Sequence, residues 1–349
     1  MTTTAITTTT RTQVPDVLGS SLNTLLNVFV SSQDINPNSQ GTYKRTFRQF
    51  LLWTVSTGKE FDELKGSDII EYKHHLTEIG LSTASQNAYL IPVRRFYEWA
   101  EREKLYPNIA SGIKGTKKER EIGHMFLRDE ESSSLIDWAK TSETRKRQSK
   151  KKGIVSVVER PTSPEVKTRD HAIINLMLRN GLRTIEVIRL DVCDIMNAEE
   201  VITRDGKRNY VVMIWGKGRK SKDQEAILTE KTYTIIREYL NAFRKCAKLN
   251  EPLFTSTSRQ NKGGRLTTRS ISGICKEGLQ AIGKDGRLYT AHSLRTTTAC
   301  ALLEHGCNVF DAQQVLRHST PSTTQIYTRF KEKELRRINA PEMALDMAF

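Results

Sequence analysis

Apolar positions recur at spacings of three and four along much of the chain, the pattern of helices with one buried face. Leu22 to Val30 form the first such segment. Tyr43, Phe47, Phe50 and Leu51 share one face of a second, with Lys44, Arg45 and Arg48 elsewhere on it. Ile69, Tyr72, Leu76 and Ile79 make a third stripe, with Ser67 placed to cap it. Tyr89, Val93, Phe96 and Ala100 make a fourth, with Arg94 and Arg95 off the stripe. Pro92 lies inside this last pattern, where a kink or a boundary is expected. The four segments predict a small helical domain over 17–106, with its aromatic residues in the core. Residues 1–16 are Thr-rich and of low complexity, and are expected to be disordered.

Beyond this domain the chain changes character. Residues 107–124 are basic and glycine-bearing and read as a linker to a second domain over 125–330. A helix is expected from Arg128 to Lys140, then an exposed basic insertion over 141–166 with two prolines and a glycine. A further helix is expected from Asp170 to Asn180, with Gly181 as its C-cap. Val201 and Ile202, then Asp205-Gly206, then Tyr210 to Trp215 read as a hairpin. A second, basic turn from Gly216 to Asp223 leads to Glu225–Leu228, which predicts a three-stranded antiparallel sheet. From Thr229 the pattern is helical again. The fold class is therefore mainly α with a small antiparallel β-sheet: a helical N-terminal domain and an α+β second domain. Residues 331–349 pass from a charged run to Met343, Leu345, Met347 and Phe349 after Pro341, an apolar tail suited to a partner's groove.

Composition narrows the partners. The 349 residues carry 55 Lys and Arg against 40 Asp and Glu, a net charge of +15. The hydrophobic share of 37% suffices for a core in each domain. No apolar run approaches the ~18 residues of a membrane span, and the MTTTAITTTT terminus lacks the basic and apolar regions of a secretory signal. The five cysteines are odd in number and form no CxxC, which points to small buried thiols in a reducing cytoplasm and not to disulfides or zinc. The basic residues cluster at 114–120, 145–152 and 217–222. Three clusters on a chain of this charge favour DNA or RNA as the partner. Charge gives affinity for phosphate and no chemistry.

The chemistry lies in four short stretches: Asn180-Gly-Leu-Arg183-Thr-Ile-Glu186; Trp215-Gly-Lys217-Gly; His292-Ser-Leu-Arg295; and Leu316-Arg-His318-Ser followed by Tyr327, nine residues after His318. Each alone is weak. The GKG lacks the spacing of a phosphate-binding loop, GxxxxGK[ST]. A single His292 suits an ordinary helix start, and a single Tyr327 a half-buried core position. In this order, however, the set resembles the tyrosine recombinase family, the phage and mobile-element integrases and Xer-type recombinases. That family's signature runs Arg, Lys, His-x-x-Arg, His or Trp, then Tyr, and every member is matched. The resemblance spans roughly residues 20–330, with the N-terminal helices similar to the family's SAM-like core-binding domain. The chain departs from the pattern at Thr296, where the family usually has His, and at Arg317, where it usually has Gly. Thr296 is expected to alter helix packing, and Arg317 to change a turn or add a DNA contact.

The resemblance implies a site-specific DNA strand breaking and rejoining enzyme with Tyr327 as nucleophile and a 3′-phosphotyrosyl intermediate. A phenol is a poor nucleophile near neutral pH, so it needs a base or a positive field. Arg183 and Arg295 are the residues to hold the non-bridging phosphate oxygens with forked hydrogen bonds. Lys217 is the general acid for the leaving 5′ oxygen, its pKa lowered by Arg219, Lys220 and Lys222. His292 is the proton-transfer group, and His318 a hydrogen-bond donor to the phosphate. Glu186, one turn after Arg183, orients Arg183 or His292. No metal and no cofactor are implied. Lys44, Arg45, Arg48, Arg94, Arg95, Arg219 and Lys220 are candidates for DNA contact. The implied partners are double-stranded DNA with inverted-repeat core sites, three further copies of the chain in a synaptic tetramer, and an accessory DNA-bending or directionality factor. The expected location is the cytoplasm, on the nucleoid. The integrase or excisionase of a mobile element is the first expectation; Xer-like chromosome dimer resolution, DNA inversion, a type IB topoisomerase and an inactive DNA-binding protein are the alternatives.

Overall fold

Aromatic side chains organise the N-terminal part of the chain. The computed structural model describes residues 20–115, 125–151, 154–216 and 221–318. They fall into two compact units, divided between Glu119 and Arg120. The first contains α1 (Ser20–Ser32), α2 (Pro37–Ser56), α3 (Gly66–Glu78) and α4 (Thr83–Arg102). Asn36 caps α2, its side chain accepting from the Ser39 amide, and Pro37 supplies the preset first turn. The expected cap at Ser67 is not used. The Asp68 carboxylate accepts from the Lys65 amide at 2.7 Å, so the helix starts earlier and Ser67 lies inside it. The expected break at Pro92 does not occur either: Pro92 is buried within α4, where packing outweighs the loss of one backbone donor.

Phe29, Phe47, Phe50, Tyr72 and Phe96 are each at most 1% exposed. Their rings meet edge-on or tilted, with Phe47 and Phe96 centroids 4.7 Å apart and Phe50 and Tyr72 at 5.0 Å. Such pairs each add about 0.5–1.5 kcal/mol beyond burial. The aromatic stripes thus form the core, as the periodicity indicates.

The second unit contains α5 (Asp129–Thr141), β1 (Thr144–Lys151), β2 (Ile154–Pro161), α6 (Pro164–Asn180), α7 (Thr184–Ile188), α8 (Val192–Met196), β3 (Glu199–Ile202), β4 (Arg208–Trp215), β5 (Lys222–Thr229), α9 (Glu230–Phe243), α10 (Thr268–Ala281), α11 (Ala291–Glu304) and α12 (Val309–Leu316). Its centre is α6, whose Ala172, Ile173, Ile174, Leu176 and Met177 are all buried, packed against α5, α9 and α11. This helix begins six residues before the expected Asp170, because Ser163 caps it and Pro164 occupies its first turn. On α10, Gly278 permits close contact with α5; a Cβ there would lie 2.5 Å from Trp138.

The segment expected to be an exposed insertion is instead an antiparallel hairpin, with Thr144 paired to Pro161 and Lys151 to Ile154. Arg145, counted above with a basic cluster, is turned inward. Its guanidinium lies 3.8 Å from the Trp138 ring centre and 3.3 Å from the Asp170 carboxylate. Asp170 also pairs with Arg169 at 2.8 Å. Burial pushes the Asp170 carboxyl up, and the two arginines oppose that shift.

The three-stranded sheet is present, with order β3-β4-β5, antiparallel throughout. Gly206 takes φ +76° in the first turn, the conformation that Asp-Gly favours. Val212, Ile214, Ala226 and Leu228 bury the inner face. Of the five thiols, Cys275 and Cys300 are buried as expected, Cys193 and Cys307 are half-buried, and Cys246 is exposed. Among the described residues no helix is long and apolar enough to cross a membrane.

Candidate active site

The site begins where α6 ends. Gly181 closes the helix in the left-handed region, at φ +57°. A Cβ on it would lie 2.6 Å from Leu316, so the position needs glycine both for its conformation and for the close approach of α12. Arg183 follows at the N-cap of α7. Its amide donates to Glu186 Oε2 at 2.9 Å, and its guanidinium to Glu186 Oε1 at 2.5 Å. Glu186 is completely buried, so it is not a surface glutamate.

A second arginine shares that carboxylate. Arg317, the residue after α12, adopts φ +52° and donates to Glu186 Oε2 at 3.3 Å. It also donates to the Val315 carbonyl at 2.7 Å. Its side chain is 8% exposed, so it faces the interior and is not displayed as a DNA contact. Burial draws its guanidinium below the ordinary arginine range, and the Glu186 charge works against that.

Arg295 joins the same region from α11. It is 1% exposed, and its terminal nitrogens donate to the carbonyls of Gly181 and Leu316. It thereby ties the stretch carrying Arg183 to the stretch carrying His318. Thr298, one turn later, donates to the Leu178 carbonyl at 2.8 Å and fixes α11 against the end of α6. Thr296 is also buried and donates to the His292 carbonyl at 3.3 Å, so the departure from the family pattern is absorbed within the helix. His292 itself is exposed in the first turn of α11. His318 is buried, and its imidazole pKa is pushed down to about 3, first by burial and then by the charges of Arg295, Arg183, His292 and Arg317. Hydrogen bonds thus join Arg183, Glu186 and Arg317 in one cluster, and Arg295 ties the stretch that carries Arg183 to the stretch that carries His318, while His292 stands in the first turn of the same helix as Arg295.

Lys217, Arg219 and Lys220 lie outside the described residues, as do Tyr327 and the tail over 331–349. The turn that bears Lys217 is anchored at its far side. Lys222 places its ammonium 2.8 Å from Asp191 and 2.7 Å from Asp194. Burial works to lower its pKa, and the two carboxylates outweigh that, so the group titrates above the ordinary lysine range. The Lys222 charge, expected to bear on Lys217, is thus balanced by two carboxylates. The carboxylates of Asp191 and Asp194 and the Cys193 thiol are grouped closely enough to hold a metal ion. The ammonium of Lys222, with Arg265 bonded to Asp191 at 2.5 Å, already balances that cluster.

Of the candidate DNA contacts in the first unit, Lys44, Arg45 and Arg95 are exposed, and Arg48 and Arg94 are half-buried. Arg95 shares its charge with Glu98 at 3.1 Å, an exposed pair of little strength. Sequence reasoning missed the inward turn of Arg317 and the Asp191–Asp194 hold on Lys222. The signals were an arginine where a turn wants glycine, and a D-x-x-D pair upstream of the sheet.

Comparison with known proteins adds an independent line. Residues 126–334 match the model of the phage integrase family, and residues 22–104 the phage integrase N-terminal SAM-like domain. The chain belongs to the phage integrase family. It is a tyrosine recombinase, one of the enzymes that cleave and rejoin DNA. A relative along almost the full length is the tyrosine recombinase XerD of Oceanobacillus iheyensis, 25% identical over 307 residues, covering 86% of this chain and 91% of that protein. Among solved structures, the XerH site-specific recombinase in a post-cleavage complex with its palindromic difH substrate aligns with a TM-score of 0.67. It is 20% identical and the match covers 90% of this chain and 83% of that one. The Tn1549 transposon integrase bound to a circular intermediate DNA aligns at 0.61, with 16% identity and coverage of 90% and 99%. At these identities the structural likeness speaks for the recombinase fold: a SAM-like helical domain and a catalytic domain built largely of helices with small antiparallel sheets.

Proposed function

We propose that this recombinase acts on double-stranded DNA at paired inverted-repeat core sites, as a homotetramer, and that it serves a mobile element. The observation that supports the mechanism is that Arg183, held by the buried Glu186, and Arg295, bonded to the carbonyls of Gly181 and Leu316, come from separate helices to the stretch that carries His318. Such a cluster suits a phosphodiester, whose negative charge grows on attack. Tyr327 is the nucleophile. Its oxygen bonds to phosphorus and the P–O5′ bond breaks, leaving a 3′-phosphotyrosine and a free 5′-hydroxyl. The phenolic proton passes to His292. Lys217 gives a proton to the departing 5′ oxygen. Arg183 and Arg295 hold the non-bridging oxygens. His318, neutral through the working pH range, donates one hydrogen bond. Attack by a different 5′-hydroxyl reverses each step and rejoins the strands. The bond energy is kept in the adduct, so no nucleotide cofactor enters.

The DNA partner is supported by the net charge of +15 and by relatives solved on DNA, among them the XerH and Tn1549 proteins. One observation favours a second role. The full-length relatives include XerC and XerD recombinases, so chromosome dimer resolution has the same chemistry to offer. A test is to amplify across the DNA flanking the gene in cells with and without it. The mobile-element role predicts a circular junction and a resealed chromosome that vanish when the gene is deleted. No junction, together with chromosome multimers in the deletion strain, assigns the Xer-like role instead.

A further inference from the structure

The Glu186 carboxylate is completely buried, and it receives two guanidinium groups, from Arg183 and from Arg317. A carboxylate and one arginine are together neutral. A neutral pair is poorly suited to an incoming phosphate. The second arginine returns the group to a net charge of +1. It does so at some expense, because Arg317 holds φ +52°, a left-handed conformation in which non-glycine residues are disfavoured. Among the described residues only Lys104 shares that property. The Arg317 amide closes α12 by donating to the Gln314 carbonyl at 2.9 Å, so the backbone turn itself asks only for glycine. The side chain is what the turn gains by being arginine.

We propose that Arg317 is a positioning residue for Arg183: by sharing Glu186 it offsets the pull of that carboxylate, keeps the cluster at a net positive charge and leaves the Arg183 guanidinium aimed for the scissile phosphate. The inference rests on the assignment of Arg183 to the phosphate. A lone Glu186 would draw Arg183 inward, and the pair would carry no net charge toward a phosphate. Held between two arginines, it orients Arg183 through the amide contact at 2.9 Å and the guanidinium contact at 2.5 Å without cancelling its charge.

The test uses the full-length protein and a nicked duplex recovered by covalent capture from sheared genomic DNA of the source organism. Arg317→Gly suits the φ of the turn, so it is expected to fold, as near-ultraviolet circular dichroism would report. DNA affinity should change little, while the single-turnover cleavage rate should fall about tenfold or more. Arg317→Lys restores the charge and should recover part of that rate. In the double variant Arg317→Gly/Glu186→Gln the second substitution should lower the rate less than Glu186→Gln does in the wild-type background, because the two residues act through one guanidinium. A folded Arg317→Gly protein that cleaves at the wild-type rate overturns the proposal, as does a loss confined to DNA affinity, which makes Arg317 a contact. Arg183→Ala is the control. Near-normal cleavage by that variant, or no capture by the wild type, overturns the underlying assignment instead.

Discussion

At the scale of single residues, burial, reinforced by the surrounding charge, explains an imidazole that stays neutral. Burial and then the surrounding cations hold His318 at a pKa of about 3, whereas an unfolded histidine titrates near 6.5. As pH falls through about 6.5, the unfolded chain takes up a proton that the folded one refuses. The stability this contributes is therefore complete above about 6.5 and is lost progressively as the pH falls toward 3. Replacing His318 by Asn should flatten the pH dependence of the urea midpoint between pH 6.5 and pH 4. An unchanged slope would mean that the ring is protonated in the folded protein. The motif residues were legible in the sequence because their chemistry depends on identity and spacing. The inward turn of Arg317 was not, since it depends on Glu186 being carried to α12 from a helix 131 positions away. Likewise, Arg295 reads as a phosphate ligand from its motif, while its grip on the carbonyls of Gly181 and Leu316 requires the packed helices.

At the scale of elements, the hairpin turn between β4 and β5 matters most, because it bears Lys217. Its return strand is fastened by Lys222 to Asp191 and Asp194, at the start of α8. Asp194→Asn leaves the ammonium with weaker partners, and should lower unfolding stability by about 1–3 kcal/mol. The same variant should slow cleavage without weakening DNA binding, if the anchor positions the turn. Urea unfolding and single-turnover cleavage report the two effects separately. Equal stability in the variant would show that the clamp is incidental. Elements with strong periodicity, such as the aromatic helices and the Asp205-Gly206 hairpin, were legible from the residues alone. The hairpin of β1 and β2 was not. Its first strand, Thr-Arg-Lys-Arg-Gln-Ser-Lys-Lys, has no alternating apolar positions, and only pairing with Ile154–Pro161 makes it a strand. The early start of α6 was available in Ser163-Pro164, which reads equally well as a loop or as a cap with proline at the first helical position.

At the scale of the whole molecule, two units with separate cores carry an excess of basic charge, so affinity for DNA should fall steeply with salt. The mainly helical class with a small antiparallel sheet followed from the spacing of apolar positions; the chemistry followed from six residues taken in order. The central claim is that this chain breaks DNA through Tyr327, and one measurement tests it most directly. A duplex from the DNA flanking the gene is nicked so that the released end diffuses away, then incubated with the protein in EDTA and run on a denaturing gel. The account predicts a covalent protein–DNA adduct with the wild type and none with Tyr327→Phe. Adduct with both proteins would contradict it, because the nucleophile would then be another residue.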